Sequence, residues 1–172
     1  GEIQRIRVGA CNGIAAKHMA KKDASVIGLL GSGFQASAQL KAMMAVRPIR
    51  ECRVFSPNKE HREEFAKEWD AKLDISVKAV ASGREACDGA QIVIASTNSA
   101  QPVFDSTWIQ PGMFITSIRP YEFDRATFDR CEPIIIHSRE SAPVSYVTGG
   151  DPSVVPELAG GALVPLGRPG RH

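Results

Sequence analysis

The chain has 172 residues, 43% of them hydrophobic and 23% charged, with a formal net charge of +2, which are the proportions of an ordinary globular protein with a buried core. Its 21 Lys and Arg are spread along the chain rather than gathered in a tail or on one helix, which argues against a nucleic-acid partner. No apolar run approaches the ~18 residues of a membrane span, and the opening GEIQRIRVGA lacks the apolar core of a signal peptide, so a cytoplasmic protein without a membrane partner is expected.

Small and apolar residues recur at helical spacing between Val8 and Lys21, predicting a helix that ends near Asp23; residues 1–23 are read as a linking helix ahead of the main domain. Ser25–Gly31, SVIGLLG, is a short apolar run stopped by glycine, followed by a helical FQASAQLKAMMAV that must end by Pro48. The alternation then repeats. ECRVFS is a strand, NKEHREEFAKEWDAKL a charged helix, ISVKAV a strand, and SGREACDGA a short helix with Ser82 as its N-cap. QIVIAST, MFITSI and EPIIIHS supply further apolar strands, with ATFDRC as a short helix between the last two. Strands that are apolar throughout and alternate with helices imply a mainly parallel sheet covered on both faces, a doubly wound α/β domain over residues 24–140. Pro and Gly accumulate towards the end, and residues 141–172 read as an irregular surface segment.

Cys11, Cys52, Cys87 and Cys131 form no CxxC pair and read as reduced structural thiols rather than zinc ligands or a disulfide framework. His18, His61, His137 and His172 offer neither triad nor metal spacing. No metal is expected.

The informative motif is Gly31-Ser32-Gly33-Phe34-Gln35-Ala36, a G-x-G-x-x-A sequence at the junction of the first strand and its helix, where a Rossmann dinucleotide-binding turn must stand. Gly31 permits the sharp turn, Gly33 lets the backbone approach a pyrophosphate, and Ala36 is small enough for the helix to pack close to the strand. Amides at the helix start and the helix dipole then favour a diphosphate. NAD or NADP is the expected cofactor. An adenosine ligand lacking a diphosphate, as in a methyltransferase, would leave this turn without work.

NAD-specific domains place an acidic residue at the end of the second strand, ~20 residues further on. Glu51 fits the count but precedes the strand CRVF, at the wrong end, whereas the strand ends at Ser56 with Pro57, Asn58, Lys59 and Arg62 following. Basic and polar groups without a carboxylate point towards NADP. Thr97-Asn98-Ser99 and Ser117-Ile118-Arg119 follow later strands, at the C-terminal ends where open α/β sheets bind ligands, and are candidates for the nicotinamide side.

The segments RVGACNGIAAKHMA, IGLLGSGFQASAQLKA, RVFSPNKEHREEFA, QIVIASTNSAQPVF and IIIHSRE, with GRPGR near the end, together resemble the ornithine cyclodeaminase/mu-crystallin family in order and spacing along nearly the whole chain. The resemblance implies hydride transfer between the α-carbon of an amino or imino acid and a nicotinamide, through an imine. Members include ornithine cyclodeaminase, an alanine dehydrogenase, ketimine and cyclic-imine reductases, opine-type synthases and mu-crystallin, which binds NADPH. By this matching Arg7 reaches cofactor and substrate carboxylate, Phe34 and Gln35 lie at the diphosphate, Ser56 at the adenosine ribose, Thr97 beside the cofactor, and Ser117 and Ile118 under the nicotinamide. The family's loop after MFITSI carries a catalytic aspartate. Here it is shortened to Arg119–Asp124, and Glu122 and Asp124 match its closing residues, so the resemblance leaves the general acid unassigned.

Complete family members also have a second domain that supplies substrate-binding cations and a dimer interface. The chain is therefore expected to be the dinucleotide-binding piece of a longer, homodimeric protein and to be inactive alone. The alternative reading is a mu-crystallin-like binder of NADPH without efficient turnover.

Overall fold

A computed structural model of the chain describes residues 1–119 and 121–135. The elements run α1 (Glu2–Met19), β1 (Val26–Leu30), α2 (Ala36–Met44), β2 (Glu51–Phe55), α3 (Lys59–Lys72), β3 (Ser76–Ala79), α4 (Gly83–Cys87), β4 (Ile92–Ala95), a 3-10 turn at Ser106–Trp108, β5 (Phe114–Ser117) and α5 (Arg125–Asp129). All four strand pairings are parallel, in the order β3-β2-β1-β4-β5. The sequence therefore reverses direction across the sheet between β1 and β4, and such a switch point opens a crevice at the carboxyl ends of the strands.

Both faces of the sheet are covered, which explains why its central strands are apolar at every position. Ile27 and Leu29 of β1 and Ile92 and Ile94 of β4 pack with Leu40 and Met43 of α2 and Phe65 of α3. The alternate residues, Leu30, Val93 and Ala95, turn to the opposite face and meet Ala86, Cys87, Phe104 and Phe123. Leu40, fully buried, stands for many such side chains, each contributing about 1.5–3 kcal/mol by leaving water. The Ser82 cap expected from the sequence is made, and Asp124 caps α5. Ser82 accepts from the Glu85 amide at 3.1 Å, and Asp124 accepts from the Thr127 amide at 2.8 Å.

α1 begins six residues before the expected helix. Its first turns turn Ile3 and Ile6 outwards, 85% and 59% exposed, so no apolar stripe towards the core marks them in the sequence. The stripe that does bury consists of Gly9, Gly13 and Ala16. A side chain at Gly9 would start 2.9 Å from the Ala38 carbonyl oxygen, so only a glycine lets α1 lie this close to α2. The strand expected at EPIIIHS extends beyond the described residues, and the segment 141–172 lies outside them.

Candidate functional site

The turn between β1 and α2 is fixed by the protein at one glycine and left open at the other. Gly31 has φ +105°, and a Cβ there would lie 2.3 Å from the Ser96 carbonyl oxygen; its amide is held by the Phe55 carbonyl at 2.7 Å. Any side chain at this position would break the contact between the turn and the end of β4. A Cβ at Gly33, in contrast, meets nothing within 4 Å. Among the described residues no backbone carbonyl accepts from the amides of Ser32, Gly33, Phe34 or Gln35, and Gln35 makes no side-chain cap for α2. Donors at the positive end of a helix are thus available to an anion.

These residues form one wall of a cleft of about 540 Å³ at the carboxyl edge of the sheet, lined by Gly31, Ser32, Gly33, Phe34 and Gln35 from the turn, Ser56, Pro57, Asn58 and His61 after β2, Ser96, Thr97 and Asn98 after β4, and Ile118 after β5. Two buried side-chain atoms of these residues lack a protein partner, the Gln35 Oε1 and the Ser96 Oγ. Ser96 is only 3% exposed. A buried hydroxyl without a partner costs about 1–3 kcal/mol, a cost that a polar ligand in the cleft would relieve.

At the β2 side, Ser32 Oγ donates to Ser56 Oγ at 3.1 Å, and Ser56 Oγ donates to the Asn58 carbonyl at 3.2 Å. Asn58 caps α3 by accepting from the His61 amide at 3.1 Å. Arg62 donates to the Ser56 carbonyl at 2.8 Å and stacks its guanidinium 5.6 Å from the Phe55 ring centroid. No carboxylate stands at this strand end. Glu51 lies at the other end of β2, opposite Val26, where it accepts from Arg53 Nε at 2.6 Å and faces Lys78 at 3.9 Å; the bond from Arg53 holds its carboxyl below the usual range.

At the β4 and β5 side, the loop after β5 carries a residue whose role the sequence did not reveal. Glu122 is fully buried. Its Oε1 accepts from the Thr97 amide at 2.5 Å and the Thr97 hydroxyl at 2.8 Å, and its Oε2 accepts from the amides of Ile118 and Arg119, both at 2.9 Å.

Of the candidate residues named from the sequence, Gly31, Gly33, Phe34, Gln35, Ser56, Asn58, Thr97, Asn98 and Ile118 come together in the cleft. Ala36 is fully buried beneath it, Ser117 is half-buried at the end of β5, and Lys59 pairs with Glu63 at 3.7 Å on the outer face of α3. Arg7 lies in a separate groove with Gly1, Glu2, Ile3 and Gln4. The α1 arginine that reaches the turn is Arg5, which contacts Glu2, donates to Ser37 Oγ at 3.3 Å and lies 5.1 Å from the centre of the Phe34 ring. Ser32, Pro57, His61 and Ser96 also line the cleft; Ser32, the free x of the motif, and Ser96, the residue before the expected Thr97, were within reach of the pattern. No group of three or more potential metal ligands occurs among the described residues.

Comparison with known proteins places this geometry. Residues 2–131 match the model of the ornithine cyclodeaminase/mu-crystallin family. A Delta(1)-pyrroline-2-carboxylate reductase of Bacillus cereus is 29% identical over 145 residues, 81% of this chain and 44% of that protein. The structure of the Thermococcus litoralis Delta(1)-pyrroline-2-carboxylate reductase in complex with NADH and L-proline superposes with a TM-score of 0.80 at 32% identity, covering 87% of this chain and 49% of that one. An archaeal alanine dehydrogenase dimer with bound NAD gives a TM-score of 0.62 at 31% identity, over 66% of this chain and 35% of that one. The chain thus spans less than half the length of the curated relatives it matches.

Proposed function

The chain belongs to the ornithine cyclodeaminase/mu-crystallin family, and from that premise we propose that it is the nicotinamide-dinucleotide-binding part of a protein that acts on amino or imino acids. The observation that carries this reading is the contrast between the two turn glycines. The fold itself requires Gly31, whereas nothing in the protein within 4 Å would obstruct a side chain at Gly33; a diphosphate lying against the backbone is the group that would require a glycine there. The partnerless Ser96 hydroxyl and Gln35 carbonyl support the same ligand.

When bound, the dinucleotide supplies or accepts a hydride at the substrate α-carbon. The chain's own residues do the holding. Amides of the Ser32–Gln35 turn and the start of α2 take the diphosphate, Ser56 and Asn58 the adenosine ribose, and Thr97, Asn98, Ser117 and Ile118 border the nicotinamide. Arg7, and with it the substrate carboxylate, belongs to the side of the site completed by the remainder of the protein.

The binder-without-turnover reading also has an observation behind it. Among the described residues lining the cleft there is no carboxylate, and the one titratable side chain is His61, at the adenosine side. Glu122, the buried acid of the shortened loop, spends both oxygens on backbone and Thr97 donors. A proton donor for an imine would have to come from elsewhere in the protein.

We assign a preference for NADP over NAD. The end of β2 carries Ser56, Asn58, Lys59 and Arg62 and no acid to repel a 2′-phosphate. Calorimetric titration tests it: NADPH should bind about tenfold or more tightly than NADH, the worth of one charge-assisted hydrogen bond. Arg62→Ala should remove most of that margin while sparing NADH. An equal loss for both nucleotides, or tighter binding of NADH by the wild type, would overturn the preference.

A further inference from the structure

Glu122 is a fully buried carboxylate that no step of the chemistry above uses. Its carboxyl group hydrogen-bonds both of the loops that form the far wall of the cleft, which also touch through the Phe104 and Phe123 rings at 5.7 Å. Oε1 holds the loop after β4 through both donors of Thr97, and Oε2 holds the loop after β5 through the consecutive amides of Ile118 and Arg119. Its own backbone is fixed as well, because the Glu122 carbonyl accepts from the Val103 amide at 2.9 Å. Each held loop contributes a residue to the cleft, Thr97 from one and Ile118 from the other, while Ser56, Pro57, Asn58 and His61 on the opposite side have no bond to Glu122.

We infer that Glu122 is a positioning residue that sets the nicotinamide side of the cleft independently of the adenosine side; this rests on the dinucleotide reading. All four contacts are donors aimed at an acceptor. A carboxylate has enough lone pairs for them, and a carboxamide does not. In Glu122→Gln one oxygen becomes an NH2 group, whichever way the amide is turned, and that group faces either the Thr97 amide or the pair of amides at Ile118 and Arg119. One loop then loses its anchor with the rest of the fold unchanged in size and shape. A residue of purely global structural importance would weaken every ligand together, whereas a positioning residue weakens only the half of the ligand that its loops touch.

The experiment compares ADP, which carries the adenosine half alone, with NADH by calorimetric titration of the 172-residue chain, wild type and Glu122→Gln. The variant should lose about tenfold or more in NADH affinity, as expected where a buried hydrogen bond is replaced by a mispaired one, and keep ADP within about twofold. Glu122→Asp, which keeps the carboxylate and shortens its reach to the two loops, should show the same split at about threefold or more; it decides the matter if circular dichroism shows Glu122→Gln to be unfolded. Unchanged NADH binding, or ADP and NADH weakened alike in a folded variant, would overturn the inference. A wild-type chain that binds neither ligand would instead fail the dinucleotide reading on which it stands.

Discussion

Cys52 and Cys87 lie on opposite faces of the sheet, both fully buried, and burial pushes both thiols up to about 12; the Glu51 carboxylate adds to the shift at Cys52. The thiolate is the reactive form, so an aromatic disulfide reagent at neutral pH should label the half-buried Cys11 and Cys131 and reach the other two only when the chain unfolds. Early reaction of four thiols in a folded sample would contradict the packing. The same shift fixes a sign. Below the ordinary value of 9.0 these thiols are neutral in both states and add no pH dependence. Above it the unfolded chain ionises them and the folded chain does not, so stability falls as pH rises from about 9 towards 12. Urea midpoints should record that fall, and a Cys52→Ala, Cys87→Ala double variant should show less of it.

Among the elements, α1 and α2 depend on one close contact that single-residue reasoning does not display. Gly9→Leu would drive a side chain into the Ala38 carbonyl, already 2.9 Å from the position of a Cβ. Overpacking of this kind costs about 1–3 kcal/mol, less what leucine regains over glycine in a helix. A thermal melt should show a lowered midpoint for Gly9→Leu, and an unchanged midpoint would mean that the two helices can part freely. The central strands were legible because parallel strands covered on both faces must be apolar throughout, and Ile27–Leu30 and Ile92–Ala95 are. The start of α1 was not, since Ile3, Ile6 and Ile14 point outwards and dilute the periodicity. The 3-10 turn at Ser106–Trp108 also escaped notice; three residues capped by Asp105 offer no period to detect.

At the scale of the whole molecule, the order β3-β2-β1-β4-β5 brings four stretches remote in sequence, near residues 33, 57, 97 and 118, to one edge of one sheet. The turn and the strand ends were legible as cleft-lining positions because the fold rule places them there. Which side chain holds the two loops of the far wall was not, for the partners of Glu122 are mainly backbone amides, which any sequence possesses. Arg5 illustrates the same limit: it and Arg7 stand two residues apart on α1, and only the packing of α1 on α2 decides that Arg5 is the one beside Phe34. The described residues thus form one cleft at the carboxyl edge of the sheet, and the central claim is that this cleft holds a dinucleotide.

That claim is tested most directly at Gly33, the glycine that the protein does not need for itself. Calorimetric titration with NADPH and NADH should give binding to the wild-type chain and none to Gly33→Val, while circular dichroism and the thermal midpoint of the variant stay close to wild type, because a Cβ there meets nothing within 4 Å. A folded wild-type chain that binds neither nucleotide, or a Gly33→Val variant that binds as well as wild type, would contradict the account.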